Sequence, residues 1–183
     1  MNICVYCSAS DKIAPAYFQL ATDLGTLIAQ RGDTLVYGGS SVGLMGQLAR
    51  TVQEHGARVI GVIPQALVDK EIAYHNADEL VITANMRERK ATMEARADAF
   101  LALPGGVGTM EEVFEIMAAR SLNLLQKPLV LLDHEHFYQP LIQLLEHMQE
   151  ASFLRVGYET MLYFAPTIDA ALEYIDHAPL SEK

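Results

Sequence analysis

The chain has 183 residues, of which 51% are apolar and 20% charged, with a formal net charge of −10. That length fits one ordinary domain able to bury a substantial core, and the composition excludes the disordered and fibrous classes. The acidic balance argues against nucleic acid as a partner, because such affinity rests on neutralising phosphates with Lys and Arg.

In chain order, a buried strand is predicted near 2–7, followed by a helix near 15–31 that Gly32 closes. A second strand, Thr34 to Tyr37, runs into a glycine-rich loop and then a helix to about His55, ended by Gly56. Arg58 to Ile63 is the third strand, stopped by Pro64. After a looser stretch come a short strand near Leu80 to Thr83 and a helix near 86–97. Ala99 to Leu103 is the next strand. The Pro104–Gly108 loop then leads to a helix from about Met110 to Leu125. Leu129 to Leu132, a helix near 137–150, a strand near Met161 to Phe164 and a helix near 167–177 complete the series. Short apolar strands alternating with helices are the pattern of βαβ units, and right-handed crossovers make them a doubly wound sheet. The expected fold is therefore α/β: one doubly wound, Rossmann-like parallel sheet flanked by helices. A single nucleotide-binding domain over 1–183 is expected, its last few residues a loose tail.

No apolar run approaches the ~18 residues of a membrane span, so no membrane partner is expected. The chain opens directly on Ile3-Cys4-Val5-Tyr6 without a basic leader, and a cytoplasmic location is the corresponding expectation. Cys4 and Cys7 spell C-x-x-C, but side chains alternate along a strand and a spacing of three puts them on opposite faces. They read as two small buried residues rather than a redox or metal pair.

In doubly wound folds ligands sit outside the carboxyl ends of the strands, near the point where strand order reverses. Three loops stand there: Ser8-Ala9-Ser10, Gly38 to Gly46, and Pro104 to Thr109. Glycine permits close backbone approach, and a following helix N-terminus suits a phosphate. Ser10, Gly39 and Gly43 are accordingly expected to bind substrate. Gly38 and Gly43 have P-loop spacing, but Leu44-Met45 stands where Lys-Ser/Thr would hold a triphosphate and its magnesium ion. Gly106-Val107-Gly108 begins a dinucleotide fingerprint, but Glu111 occupies the third glycine position and would repel a pyrophosphate. A single phosphate fits better, and no redox cofactor is expected.

Arg87, Arg89, Lys90 and Arg96 concentrate the scarce cations in one helix. Met86, Arg89, Lys90, Met93 and Ala97 share a stripe at helical spacing, which would bring two cations toward the core unless an anion meets them. The alternative is that Ala91, Ala95 and Ala99 mark the buried side and the cations are solvated. Thr109-Met110-Glu111-Glu112 likewise has two readings. One is a capping box, with Thr109 as N-cap and Glu112 reaching back to its N–H. The other is a carboxylate beside a phosphate loop, able to stabilise an oxocarbenium-like transition state or activate water at a ribose C1′. His134-Glu135-His136 has no third ligand at a metal-binding spacing, so it reads as a loop with surface histidines and no metal is expected. Leu141, Leu144, Leu145 and Met148 follow helical period, as core or dimer surface.

Taken together, the residues resemble the LOG family, the cytokinin riboside 5′-monophosphate phosphoribohydrolases, whose members were often labelled putative lysine decarboxylases. The motif P-G-G-x-G-T-x-x-E is matched by Pro104 to Glu112 and the R-K pair by Arg89-Lys90. C-V-x-C-x-x-S matches Cys4 to Ser10, and Y-G-G-x-x-x-G-L-M-G matches Tyr37 to Gly46. The resemblance implies that Arg89 and Glu112 are catalytic. It also implies that Glu71, Lys90, Gly106, Gly108, Thr109 and Glu111 bind the nucleotide. It further implies a homodimer and hydrolysis of a purine nucleoside 5′-monophosphate, cytokinin riboside monophosphate or AMP, to free base and ribose 5-phosphate. A lysine in a pyridoxal-phosphate setting is not recognisable, which leaves the decarboxylase label without support. Rival readings are a general nucleotide nucleosidase without cytokinin preference and a nucleotide-binding regulator without turnover. Family members commonly carry His at 87, a third glycine at 40 and T-W-A-Q-L-G over 118–123. The change to Ala118-Ala119-Arg120-Ser121-Leu122-Asn123 is expected to reshape the base pocket or the dimer contact.

Overall fold

Strands and helices alternate along the whole chain in the computed structural model, which describes residues 1–70 and 72–178. They are β1 (Asn2–Tyr6), α1 (Pro15–Gln30), β2 (Thr34–Tyr37), α2 (Gly43–Glu54), β3 (Val59–Pro64) and a single-turn helix α3 (Gln65–Val68). There follow β4 (Glu79–Thr83), α4 (Met86–Arg96), β5 (Ala99–Ala102), α5 (Val107–Ser121), β6 (Leu129–Leu132), α6 (Gln139–Glu150), β7 (Tyr163–Ala165) and α7 (Ile168–His177). The strand order is β4-β3-β2-β1-β5-β6-β7, a doubly wound sheet as expected. Two compact units make up the chain, Met1–Asp98 and Ala99–Lys183. Glu71 and the expected C-terminal tail lie outside the described residues.

In the first unit β1, β2, β3 and β4 pair in parallel, from Asn2↔Thr34 at the start of β1 to Pro64↔Thr83 at the end of β3. Ile3, Cys4, Val5, Leu35, Val36 and Tyr37 are fully buried, the mark of parallel strands covered on both faces. Cys4 and Cys7 are both buried, as expected of two small apolar residues. α1 and α2 pack together, while α4 lies along the β3 and β4 region. The start of α4 is closed by its own side chains. Asn85 Oδ1 accepts the Arg87 and Glu88 N–H groups at 3.0 Å, and Glu88 Oε2 accepts the Ala84 N–H at 2.7 Å.

In the second unit β5, β6 and β7 pair in parallel, with Phe100↔Leu129 and Val130↔Tyr163 in register. Leu101, Leu129, Leu145, Ala171 and Ile175 are fully buried there. Of the periodic residues in α6, only Leu145 is buried; Leu144 is half exposed. Tyr138 anchors the connection into α6 by donating its hydroxyl to the Leu103 carbonyl at 2.7 Å. His134 and His136 sit in a one-turn 3-10 segment after β6, and the His136 side chain is exposed.

Candidate active site

α4 turns its arginine face inward, not its alanine face. Arg89 is 4% exposed and lies on one side with buried Met93 and Ala97, whereas Ala91 and Ala95 are exposed. Lys90 is half-buried and Arg87 exposed. Removing a guanidinium from water is costly, so its seat has to be built. Arg89 Nε donates to the Val62 carbonyl of β3 at 3.1 Å. Its terminal nitrogen rests against the Cα of Gly38, where a Cβ would overlap Nη2 and stand 3.2 Å from Cζ.

The glycine loop after β2 is largely used by the chain itself. Gly39 and Gly43 have φ of 72° and 61°, the left-handed region that other residues avoid. A Cβ on Gly39 would lie 2.8 Å from the Ile63 Cβ, and one on Gly43 would press into the Ser8–Ser10 backbone. The first amide of α2 is occupied too: the Gly43 N–H donates to Asp11 Oδ1 at 2.8 Å, and the Leu44 N–H donates to the Ser8 carbonyl at 2.9 Å. Asp11 carried no signal in the sequence beyond its place in a loop. Ser10 is exposed, and its Oγ accepts the Lys12 N–H at 3.2 Å. Ser40, where the family pattern has glycine, is buried and accepts the Val42 N–H at 3.3 Å. The segment next to Glu71 is tied to this loop, since Ser41 donates its N–H to the Ile72 carbonyl at 2.8 Å and Tyr74 donates its N–H to the Gly39 carbonyl at 2.8 Å.

The loop after β5 is built differently. α5 begins at Val107, three residues earlier than expected, with Gly106 as N-cap and the Met110 N–H donating to the Gly106 carbonyl at 3.0 Å. Thr109 is therefore not an N-cap, and the capping-box reading of Thr109 and Glu112 is overturned: both lie inside the helix. Thr109 (3% exposed) packs its side chain against Gly105, and Glu112 is 5% exposed on the next turn. At Gly106 and Gly108 a Cβ would meet open space, and neither has positive φ. Packing and backbone geometry thus explain glycine at 105 but not at 106 or 108. Glu111 is exposed beside them.

Among the described residues the charged side chains classed as buried are Asp33, Arg89 and Glu112. Asp33 holds Arg31 Nε at 2.7 Å and the Met1 amino group at 2.6 Å. The other two are the residues singled out for chemistry. No three His, Cys, Asp or Glu among the described residues are grouped so as to hold a metal ion. None of the helices described is long and apolar enough to cross a membrane. The second unit also carries an apolar groove of about 330 Å³, walled by Phe114, Met117, Ala118, Leu122, Leu145 and Phe153.

Residues 45–175 match the family described as "Possible lysine decarboxylase". Over 183 residues the chain is 38% identical to rice (Oryza sativa subsp. japonica) LOGL2, named "Probable cytokinin riboside 5'-monophosphate phosphoribohydrolase", covering 100% of this chain and 75% of that one. It is 37% identical over 183 residues to Arabidopsis thaliana LOG1, a cytokinin riboside 5′-monophosphate phosphoribohydrolase, covering 100% and 86%. The chain belongs to the LOG family. The solved molybdenum cofactor carrier protein of Chlamydomonas reinhardtii shares the fold alone, with a TM-score of 0.70 at 23% identity over 97% of this chain and 96% of that one.

Within this LOG-family chain the departure at Ala118–Asn123 has a structural outcome. Arg120 does not reach outward. Its Nε donates to the Met161 carbonyl at 2.6 Å, Nη1 to the Gln126 carbonyl at 3.0 Å and to that of Lys127, and Nη2 to the Thr160 carbonyl at 3.0 Å. Burial pulls its guanidinium below the usual arginine range. Through those hydrogen bonds Arg120 joins the segments before β6 and β7.

Proposed function

We propose that this chain hydrolyses the N-glycosidic bond of a purine nucleoside 5′-monophosphate, releasing the free base and ribose 5-phosphate. The observation that carries the reading is the coincidence of buried charge with family motif. The buried charged side chains described are Asp33, Arg89 of the R-K pair and Glu112 of P-G-G-x-G-T-x-x-E, so two of the three fall on the family's motifs. The names of relatives 36% to 40% identical over nearly the whole chain support the same reaction.

In this reading the bond from C1′ to the base nitrogen breaks, a water oxygen bonds to C1′, and the base leaves with a proton. Glu112 stabilises the oxocarbenium-like charge at C1′ or takes the proton of the attacking water, as carboxylates do in glycoside hydrolysis. Arg89 neutralises the phosphate or the departing base, and Lys90 adds to the same field. The start of α5 receives the phosphate: its glycines 106 and 108 leave the backbone open, and unpaired amides at a helix N-terminus favour an anion. Thr109 and Glu111 belong to that binding segment, and Glu71 contributes an acidic contact to the substrate. Ser10, Gly39 and Gly43 complete the proposed binding set. A homodimer is part of the same reading. The exposed apolar side chains Phe114, Leu122, Leu144 and Phe153 supply a surface for it.

The test is to incubate purified protein with AMP and with isopentenyladenosine monophosphate and to separate the products chromatographically. Free base with an equal amount of ribose 5-phosphate is expected, and the ratio of the two rates identifies the preferred base. Tight binding of both nucleotides with no product from either would sink the hydrolase reading in favour of a regulator.

A further inference from the structure

We infer that Gly38 is a positioning residue for Arg89: its missing side chain is the space in which the guanidinium sits. This inference rests on the reading of Arg89 as a functional group. Gly38 follows β2 directly and lacks the positive φ that by itself calls for glycine. Backbone freedom therefore does not explain the glycine. Packing does. A Cβ there would overlap Arg89 Nη2, stand 3.2 Å from Cζ and touch Met45 Sδ at 3.0 Å. On another edge of the same guanidinium, the Val62 carbonyl holds Nε at 3.1 Å. Gly38 and Val62 thus pin the planar group at two edges, and a planar fork held at two edges has one orientation. Arginine at 89 and glycine at 38 form one unit, although 51 positions separate them in the chain (89 − 38).

The arrangement makes a prediction that a merely tight turn does not. Gly38→Ala, Arg89→Ala and the double variant are to be compared by thermal unfolding. Their steady-state hydrolysis of the faster of the two nucleotides is measured at a temperature where each is folded. In the wild-type background Gly38→Ala is expected to lower the melting temperature by at least about 2–4 °C, the shift typical of 1 kcal/mol in a chain of this size. It is also expected to reduce kcat in the fully folded protein. In the Arg89→Ala background the same change is expected to cost much less in melting temperature and nothing further in kcat, because the guanidinium has vacated the space and only the flexible Met45 thioether remains close. Additive losses in melting temperature, or a further loss of kcat in the double variant, overturn the inference. If Gly38→Ala alone fails to fold, recovery of folding on adding Arg89→Ala supports the seat, and failure of both variants overturns it. Wild-type turnover in Arg89→Ala would instead sink the catalytic reading of Arg89, leaving the melting-temperature cycle to decide the seat by itself.

Discussion

The Thr109 side chain fills the space beside Gly105 that a Cβ would need, while the neighbouring Gly106 and Gly108 face open space. Three glycines in one motif therefore have two different reasons to be there. Gly105→Ala is expected to destabilise by about 1–3 kcal/mol through overpacking. Gly106→Ala and Gly108→Ala are expected to leave stability unchanged or raise it by up to about 1 kcal/mol, since alanine is compatible with both conformations. The same two changes should raise KM for a nucleotide monophosphate about tenfold or more, a loss of ~1.4 kcal/mol in binding. Thermal unfolding together with KM separates the two classes, and unaltered KM in both Gly106→Ala and Gly108→Ala would remove the phosphate from this loop.

Glu112 lies inside α5 and does not cap it, so its loss should be felt in chemistry. Glu112→Gln is expected to keep the melting temperature within a degree or two and to cut turnover by about 10²–10⁴, the scale of one positioned acid–base group. A drop in melting temperature with turnover intact would make Glu112 a structural residue.

Arg120 gathers the carbonyls of Gln126, Lys127, Thr160 and Met161. Arg120→Ala leaves those acceptors without their shared donor and is expected to cost about 2–4 kcal/mol in urea unfolding, given about 1.5–3 kcal/mol for a hydrogen bond to a charged group and the absence of simple additivity. Arg120→Lys should recover only part of the loss, because an ammonium cannot span the geometry of a fork. Turnover of the folded fraction should stay within a few-fold of wild type.

Glu79 bridges Arg58 at 2.9 Å and Arg96 at 2.6 Å on an accessible surface. The hydrogen bond from Arg96 chiefly holds its carboxyl below the usual range. A depressed acid stabilises the fold above its unfolded pKa and loses that contribution as pH falls through the folded value. Glu79→Gln should therefore lower stability at neutral pH, by less than about 1 kcal/mol because the pair is solvent-screened, and the difference from wild type should close in acid. Melting curves at neutral and acidic pH check the sign.

The succession of strands and helices was legible because period and glycine punctuation report local geometry directly. The burial of Arg89 was one of two readings that helical spacing offered, and of the stripe that suggested it Arg89, Met93 and Ala97 are buried while Met86 is exposed and Lys90 half-buried. The start of α5 was not legible. Asn85-x-x-Glu88 and Thr109-x-x-Glu112 are the same kind of pattern, yet the first closes a helix start and the second lies within a helix already begun at Val107. What separates them is the Gly106 carbonyl accepting the Met110 N–H, a contact that no residue type announces. Asp11 on Gly43, Gly38 under Arg89 and Arg120 on its carbonyls escaped for the same reason. Each joins positions distant in the chain or turns a side chain in a direction that composition does not encode.

The unequal use of the two glycine loops bears on how this chain can be diversified. In Gly38 to Gly46 the absent side chains are filled by Arg89, Ile63 and the Ser8–Ser10 backbone, so a library randomised there would mostly collect collapsed variants. Positions 106 and 108 have room to spare around an intact scaffold. With the phosphate bound there as proposed, a library of small residues confined to them would vary the site at little cost to folding, which makes that short loop the place to begin directed evolution.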